Sequence, residues 1–303
     1  MSKFRILTIS AYTLLALGAC TSNSESPIPS PTSSERLPLC ISTSLASRAT
    51  DDKFEMGDNI GLFMVYRNED GSVPSLQLNG NYIDNCPYTY LDKWVANTTN
   101  YWKDNTTHAD FYTYYPYTPS LASVETMPWS VNADQSQLAN YKAGDLLIGK
   151  TLDVTPSEAN VKIETRHAMS QMLITLAAGN GFTNASLAAA DVKVKINHVK
   201  TQATANLSTG DITATGKETD ITPLREDDHY KALIVPQDIS EGNLITVSVD
   251  GKDFNLQKAN NFHAFKTGKR YQFTVTLNKT SNGVNVSITK WEDDGIDYGG
   301  TAE

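Results

Sequence analysis

The first residues suited to chemistry are Leu17-Gly18-Ala19-Cys20, which follow a short basic start and the apolar run 6–17. This order is typical of a secretory signal peptide with a small-residue cleavage site. The apolar run is too short to span a bilayer, which takes roughly 20 residues. A cysteine directly after the cleavage site can carry a diacylglycerol on its thiol and a fatty acid such as palmitate on its new amino group. We therefore predict a signal peptide over residues 1–19 and lipidation of Cys20. The alternative is an ordinary signal peptide that ends near a cysteine.

The remaining residues show no arrangement typical of an enzyme or a metal site. The sequence lacks His-Glu-x-x-His, Cys-x-x-Cys, a nucleophile elbow and a phosphate-binding glycine loop. Ser287-Ile288-Thr289-Lys290 and Lys266-Thr267-Gly268 resemble two motifs of penicillin-binding serine enzymes, but their order is reversed and the third motif is missing. The five histidines are scattered, and Asp293, Asp294 and Asp297 do not have calcium-loop spacing. We predict no catalytic residue, no metal site and no cofactor.

The net charge bears on the binding partners of the chain, and the cysteine content bears on its disulfide bonds. The 303-residue chain has a formal net charge of −9. Nucleic acid is excluded as a partner, because no basic face is available to neutralise phosphates. Cys40 and Cys86 are the cysteines that follow Cys20. A disulfide between them is possible in an oxidising compartment, and the sequence leaves this question open.

Strand patterns dominate the chain after a polar tether. Residues 20–36 are mostly Ser, Pro, Thr and Glu, which cannot offset the entropy of ordering, so we predict a flexible tether. The apolar run 59–66, the aromatic-rich segment 110–117 and the alternating residues from Val192 to Ile196 predict strands. The segment 183–190 alone looks helical.

Turn signals complete the prediction of a mainly β protein. Asp250-Gly251 accepts positive φ in a two-residue turn, so the apolar runs on either side predict a hairpin. Tyr271 to Leu277 and Val284 to Ile288 flank a longer loop in the same manner. Many closely spaced strands with polar turns indicate β-sandwich architecture. We place the joint between an N-terminal domain (37–160) and a C-terminal domain (161–303) after the turn signal at 155–157.

Several separated phrases keep a common order over residues 45–292. They are Phe54-x-x-Gly57-Asp58-x-Ile60-Gly61-x-Phe63, Tyr101-Trp102 with the 110–117 segment, Asp145-Leu146-Leu147, HAMSQMLITL at 167–176, Val235-Pro236-Gln237, Phe265-x-x-Gly268-Lys269-x-Tyr271, and Ile288-x-x-Trp291. Together they resemble the fimbrillin-like family, the subunits of protease-assembled (type V) pili of Gram-negative bacteria. The resemblance implies two tandem β-sandwich domains of transthyretin-like, Greek-key topology. It also implies an outer-membrane lipoprotein precursor that becomes part of a cell-surface fimbria, with no enzyme activity.

The segment after the tether has the alternation of a strand that buries one face. Its period-two positions are Leu37, Leu39, Ile41, Thr43 and Leu45. Arg48 follows within a small polar stretch of the kind that proteases reach.

The resemblance gives this segment a role. In the family, an arginine-specific protease cuts at the matching place, the first strand leaves, and a strand of another pilus subunit fills the groove by β-strand complementation. This implies Arg48 as the processing site and Leu37 to Leu45 as the displaced strand. Arg36 is the second candidate, although a cut there would leave the strand in place. The alternative is that Arg48 begins a loop of a monomeric lipoprotein that is never processed.

The C-terminal tail departs from the family pattern. Stalk subunits donate a C-terminal strand, but Trp291 is followed by EDDGIDYGGTAE, whose apolar residues are Ile296 and Tyr298. Glycines weaken strands and the acidic residues oppose burial, so we expect a poor donor. This favours a tip or accessory subunit. Alternatively, the tail orders only on assembly.

A second hypothesis belongs to another functional class. A stand-alone, lipid-anchored surface protein could bind host glycans through exposed aromatics such as Trp94, Trp102 or Trp129. The aromatic cluster could form the same kind of platform, although we expect most of it in the core because its side chains alternate along a strand. Its members are Tyr101, Trp102, Phe111, Tyr112, Tyr114, Tyr115 and Tyr117.

Overall fold

The computed structural model describes residues 36–45, 53–279 and 300–302. This part of the chain contains 19 strands and two short helices, which confirms the prediction of a mainly β protein. The strands are β1 (Ile41–Leu45), β2 (Asn59–Tyr66), β3 (Ile83–Tyr90), β4 (Trp94–Ala96), β5 (Ala109–Tyr115), β6 (Met127–Ser130), β7 (Leu147–Val154), β8 (Val161–His167), β9 (Ser170–Ala178), β10 (Val192–Ala205), β11 (Ile212–Ile221), β12 (Leu224–Glu226), β13 (His229–Ile234), β14 (Gln237–Asp238), β15 (Asn243–Val249), β16 (Lys252–Gln257), β17 (Ala264–Phe265), β18 (Arg270–Leu277) and β19 (Gly300–Ala302). The helices are α1 (Leu138–Lys142) and α2 (Asn184–Ala189), and neither is long and apolar enough to cross a bilayer.

Two local predictions are confirmed by the backbone. Asp250 and Gly251 join β15 to β16 with φ values of +51° and +82°, as a two-residue hairpin turn of positive φ requires. Helix α2 begins after Thr183, whose side chain accepts a bond from the Ser186 N–H in a capping box. The strand predicted from Tyr271 to Leu277 lies within β18, whereas its partner from Val284 to Ile288 lies outside the described residues.

The strands divide among four sheets. A seven-stranded sheet has the order β1-β8-β7-β5-β2-β3-β4. One five-stranded sheet contains β11-β10-β15-β16 with β6 beside β10, and the other has the order β12-β13-β9-β18-β19. The short strands β14 and β17 pair with each other.

The seven-stranded sheet is buried on both faces at its centre. Along β2, Leu62 and Met64 pack in one hydrophobic cluster, whereas Phe63 and Val65 pack in another. Because successive side chains of a strand point to opposite faces, the sheet separates the two clusters. The smaller cluster draws all its buried members from residues 39–163, and the larger one extends from the N-terminal strands to Leu277.

Strand β8 belongs to the seven-stranded sheet, where it pairs with β7 and with β1. The predicted joint after the turn signal at 155–157 places Val161–His167 in the C-terminal domain. That turn instead connects two neighbouring strands of one sheet. The division into two sandwich domains stays a prediction, and on this pairing its joint would follow His167.

Candidate functional site

The segment 37–45 lies between two other parts of the chain and is hydrogen-bonded to both. On one side, β1 runs parallel to β8, with Ile41 opposite Val161 and Leu45 opposite Thr165. On the other side, the Leu39 N–H donates to the Asn100 carbonyl at 2.8 Å, and the Trp102 N–H donates to the Leu37 carbonyl at 2.9 Å. We call this segment the first strand, and the space that it fills the groove.

The first strand also closes the smaller hydrophobic cluster. Leu39 is 5% exposed and Ile41 is 3% exposed, and both pack with buried side chains from β2, β5 and β8. At the alternate positions Pro38, Cys40 and Ser44 are exposed, whereas Leu37, Ser42, Thr43 and Leu45 are all half-buried, so the predicted alternation is clearest from Pro38 to Ile41. Burying a side chain of this size stabilises a fold by about 1.5–3 kcal/mol, which makes the first strand an integral part of the core.

A tryptophan links the first strand to the chain that follows residues 46–52. The Trp94 Nε1–H donates to the Thr43 Oγ1 at 2.8 Å. The same indole packs edge-to-face on the Phe54 ring, with centroids 4.9 Å apart. Phe54 also packs against Tyr90 and Tyr115. The two ends of the stretch that contains Arg48 are therefore held beside one side chain, Trp94.

The far border of the groove is fixed by residues outside the first strand. The Asn100 side chain donates to the Tyr88 hydroxyl at 3.0 Å and to the Cys86 sulfur at 3.3 Å. The Lys103 N–H donates to the Tyr66 hydroxyl at 2.6 Å. Burial raises the pKa of Tyr66 and of Tyr88 to about 12, so both phenols stay protonated and neutral at physiological pH. These hydrogen bonds do not involve the first strand.

A carboxylate holds the turn that follows this border. The Thr107 hydroxyl donates to the Asp104 Oδ2 at 2.7 Å, and the N–H groups of Thr107 and Thr106 donate to the Oδ1 at 2.6 and 2.9 Å. The Thr107 hydroxyl, followed by the two N–H groups, lowers the pKa of Asp104 to about 2.

Thr107→Val is expected to raise the pKa of Asp104 toward its ordinary value of about 3.9, because it removes the strongest of these bonds. Since the folded-state pKa lies below the unfolded one, the carboxylate stabilises the fold above about pH 4 and ceases to do so as the pH falls toward about 2. NMR titration of the carboxyl carbon measures the change. Thr106→Val is the control, because its hydroxyl lies 3.4 Å from the Oδ1. Equal pKa values in Thr107→Val and the wild type would contradict this account.

Of the predicted processing residues, only Arg36 lies within the described residues. Cys20 and Arg48 lie outside the described residues, so lipidation and cleavage there stay predictions. Arg36 is exposed and directly precedes the first strand. Cys40 and Cys86 are free thiols in this structure.

The tryptophans expected to be exposed for glycan binding are largely enclosed. Trp94 is 7% exposed and Trp102 is 1% exposed, so neither offers a ring face to a sugar, and that expectation is wrong for both. The half-buried Trp129 packs on the larger cluster and donates its indole N–H to the Gly144 carbonyl. In the aromatic cluster, Tyr101 alone is exposed, which confirms that most of the cluster is core. A host protein or glycan as ligand stays a prediction.

Comparison with known proteins decides the family. A model of the fimbrillin-like family matches residues 47–291. The chain belongs to the fimbrillin-like family. The matched range begins two residues after β1 ends, so it leaves out the first strand.

The names of similar proteins and solved structures agree with this family assignment. The "Putative fimbrium subunit Fim1C" of Bacteroides uniformis is 26% identical over 95% of each chain. The crystal structure of a "putative cell adhesion protein" from B. uniformis is 25% identical, with a TM-score of 0.64 over 89% of this chain and 97% of that one. The crystal structure of a "putative cell adhesion protein" from Bacteroides ovatus is 15% identical and shows the same fold, with a TM-score of 0.62 over 80% of this chain and 92% of that one. The names of these relatives, a fimbrium subunit and cell adhesion proteins, agree with the fimbrillin-like family.

Proposed function

We propose that this fimbrillin-like protein is a structural subunit of a cell-surface pilus that polymerises by strand exchange. It is exported as an outer-membrane lipoprotein anchored at Cys20, cut after Arg48 by an arginine-specific protease, and joined to other pilus subunits. The observation that carries the proposal is the first strand, which is paired with β8 over residues 41–45, hydrogen-bonded to residues 100–102 over residues 37–39, and buries Leu39 and Ile41.

Loss of the first strand would leave a groove that needs a replacement. The backbone of β8 and the groups at Asn100 and Trp102 would lose their partners, and each buried polar group without a partner costs about 1–3 kcal/mol. The apolar sites of Leu39 and Ile41 would also face water. An extended strand from another subunit restores both kinds of contact, which is the energetic basis of β-augmentation.

The position of Arg48 suits release better than that of Arg36. A cut after Arg48 separates β1, which ends at Leu45, from Phe54, which is packed among Tyr90, Trp94 and Tyr115. The first strand and the lipid at Cys20 then leave together. A cut after Arg36 would remove the lipid and leave the first strand in the groove.

The tail supports a tip or accessory position for this subunit. Gly300–Ala302 pairs in parallel with Val275–Leu277 of the same chain, so this part of the tail already has an intramolecular strand partner. The tail is also rich in glycine and acidic residues, a poor composition for a donated strand. On this basis the subunit accepts a strand and does not donate one.

Digestion of the purified precursor with an arginine-specific protease tests the function. Mass spectrometry should find a body that begins at Ala49. The cut protein, mixed with a donor-competent pilus subunit, should form multimers that resist detergent, and the uncut precursor should not. A single intact band, or a cut body that forms no multimer with or without the donor subunit, would rule out assembly by strand exchange.

A further inference from the structure

We propose that the groove selects its incoming strand by a polar contact at Trp94, which requires a hydrogen-bond acceptor at the position now held by Thr43. This inference rests on the proposed strand exchange and names the chemistry of the partner strand. It assigns the groove to a strand of a different subunit rather than to the tail of a second copy of this chain.

The indole of Trp94 is held in place by the body of the protein. Its ring contacts Phe54 at 4.9 Å and Tyr90 at 5.2 Å between centroids, and the residue is 7% exposed. The indole N–H can donate but cannot accept, and in the precursor it donates to the Thr43 Oγ1 at 2.8 Å. When the first strand leaves, this donor stays behind, aimed at the vacated position.

A strand that refills the groove restores the burial of this donor. If that strand places an apolar side chain opposite Trp94, the N–H is shut away from both water and an acceptor, which is strongly unfavourable. A serine, threonine, asparagine or aspartate at that position offers an oxygen instead. The contact therefore discriminates between strands that are equally apolar elsewhere.

The positions of the first strand define the required pattern. Leu39 and Ile41 fill two apolar sites spaced by two residues, and Thr43 places its hydroxyl two residues further on. An incoming strand parallel to β8 must therefore have apolar residues at its first and third positions and a side-chain hydrogen-bond acceptor at its fifth, with any residue at the second and fourth. Register follows from period two, because a slip of one residue would turn every side chain to the other face.

The tail of this chain does not meet the pattern in the registers that use its apolar residues. With Ile296 and Tyr298 in the apolar sites, Gly300 falls at the acceptor position and has no side chain. With Ile296 in the second site, Asp294 enters the first. With Tyr298 in the first site, Ala302 falls at the acceptor position.

Competition among peptides during cleavage tests the proposal. The full precursor is cut by an arginine-specific protease in an excess equimolar mixture of the peptide 37–45, its Thr43→Val and Thr43→Ser versions, and the peptide 292–303. Peptides that stay on the desalted body are counted by mass spectrometry. We expect the native and Thr43→Ser peptides to exceed Thr43→Val by about fivefold or more, and the tail peptide to be lost. A Ser44→Ala version of the peptide, changed at an exposed position and added to the same mixture as a control, should be retained like the native one.

A Trp94→Phe body shows whether the preference arises at the indole. In this variant, native and Thr43→Val peptides should be retained within about twofold of each other. Equal retention of the native and Thr43→Val peptides on the wild-type body would overturn the proposal. So would a preference for the native peptide that persists on the Trp94→Phe body. If Trp94→Phe does not fold, the retention of the Thr43→Ser peptide relative to the Thr43→Val peptide on the wild-type body decides whether an acceptor is required. If the tail peptide 292–303 is retained as well as the native peptide 37–45, the assignment of the groove to a strand of a different subunit is wrong. Failure of every peptide to displace the native first strand would instead count against strand exchange itself.

Discussion

Arg48→Ala is expected to abolish processing and multimer formation while the precursor stays folded. An arginine-specific protease binds the planar guanidinium through paired hydrogen bonds and charge, which an alanine cannot replace. Sites of this kind reject a substrate that lacks the polar group by about 10⁴-fold, so the variant should remain intact through a digestion that converts all of the wild type. Gel electrophoresis and mass spectrometry after timed digestion measure the loss.

Arg36→Ala is the matched control for this result. It removes an arginine from the other side of the first strand and should be processed to the same body, beginning at Ala49. Circular dichroism and thermal unfolding of both precursors should match the wild type, because Arg36 is exposed and Arg48 lies in a small polar stretch of the sequence. Processing of Arg48→Ala at the wild-type rate, or a block in Arg36→Ala, would assign the cleavage to another residue.

Ile41→Ala is expected to lower the free energy of unfolding of the precursor by about 3 kcal/mol. Ile41 is 3% exposed, pairs with Val161 of β8 and packs in the cluster that contains Ile60, Phe111 and Ile163, so truncation leaves a cavity in the core. After cleavage and exchange with a donor strand, the body no longer contains residue 41. The exchanged protein should therefore have the stability of the exchanged wild type, and urea denaturation of both states measures the difference.

Ser44→Ala is the control within the same strand. Its side chain is exposed, and its carbonyl, which accepts from the Thr165 hydroxyl, is unchanged by the substitution. The precursor should change by less than about 0.5 kcal/mol. If Ile41→Ala destabilises the cut and exchanged protein as much as the precursor, the first strand has not left the groove.

Features set by neighbouring residues were predictable from the sequence. The turn at Asp250-Gly251 needs positive φ at two positions, and these two residues supply it wherever the hairpin lies. Helix α2 begins with a capping box that is complete within four residues. The alternation from Leu37 to Leu45 likewise follows from the period of a strand, whichever strand it pairs with.

The partners of those elements were decided by the tertiary structure. Periodicity shows that Ile41 is buried, but it does not show that β1 pairs with Val161–His167 on one side while residues 37–39 pair with the segment around Asn100 on the other. For the same reason, the sequence did not show that β8 pairs with β7 and β1.

By itself, the sequence determined a mainly β chain, a period-two strand before Arg48 and the phrases of the fimbrillin-like family, and it predicts an export signal that ends at Cys20. The tertiary structure decided what that strand contacts. Trp94 looks like any aromatic of a short strand, and only folding brings its N–H to Thr43 and its ring to Phe54. The physical reason is distance along the chain: propensity and period act over a few residues, whereas the groove joins residues more than 100 positions apart.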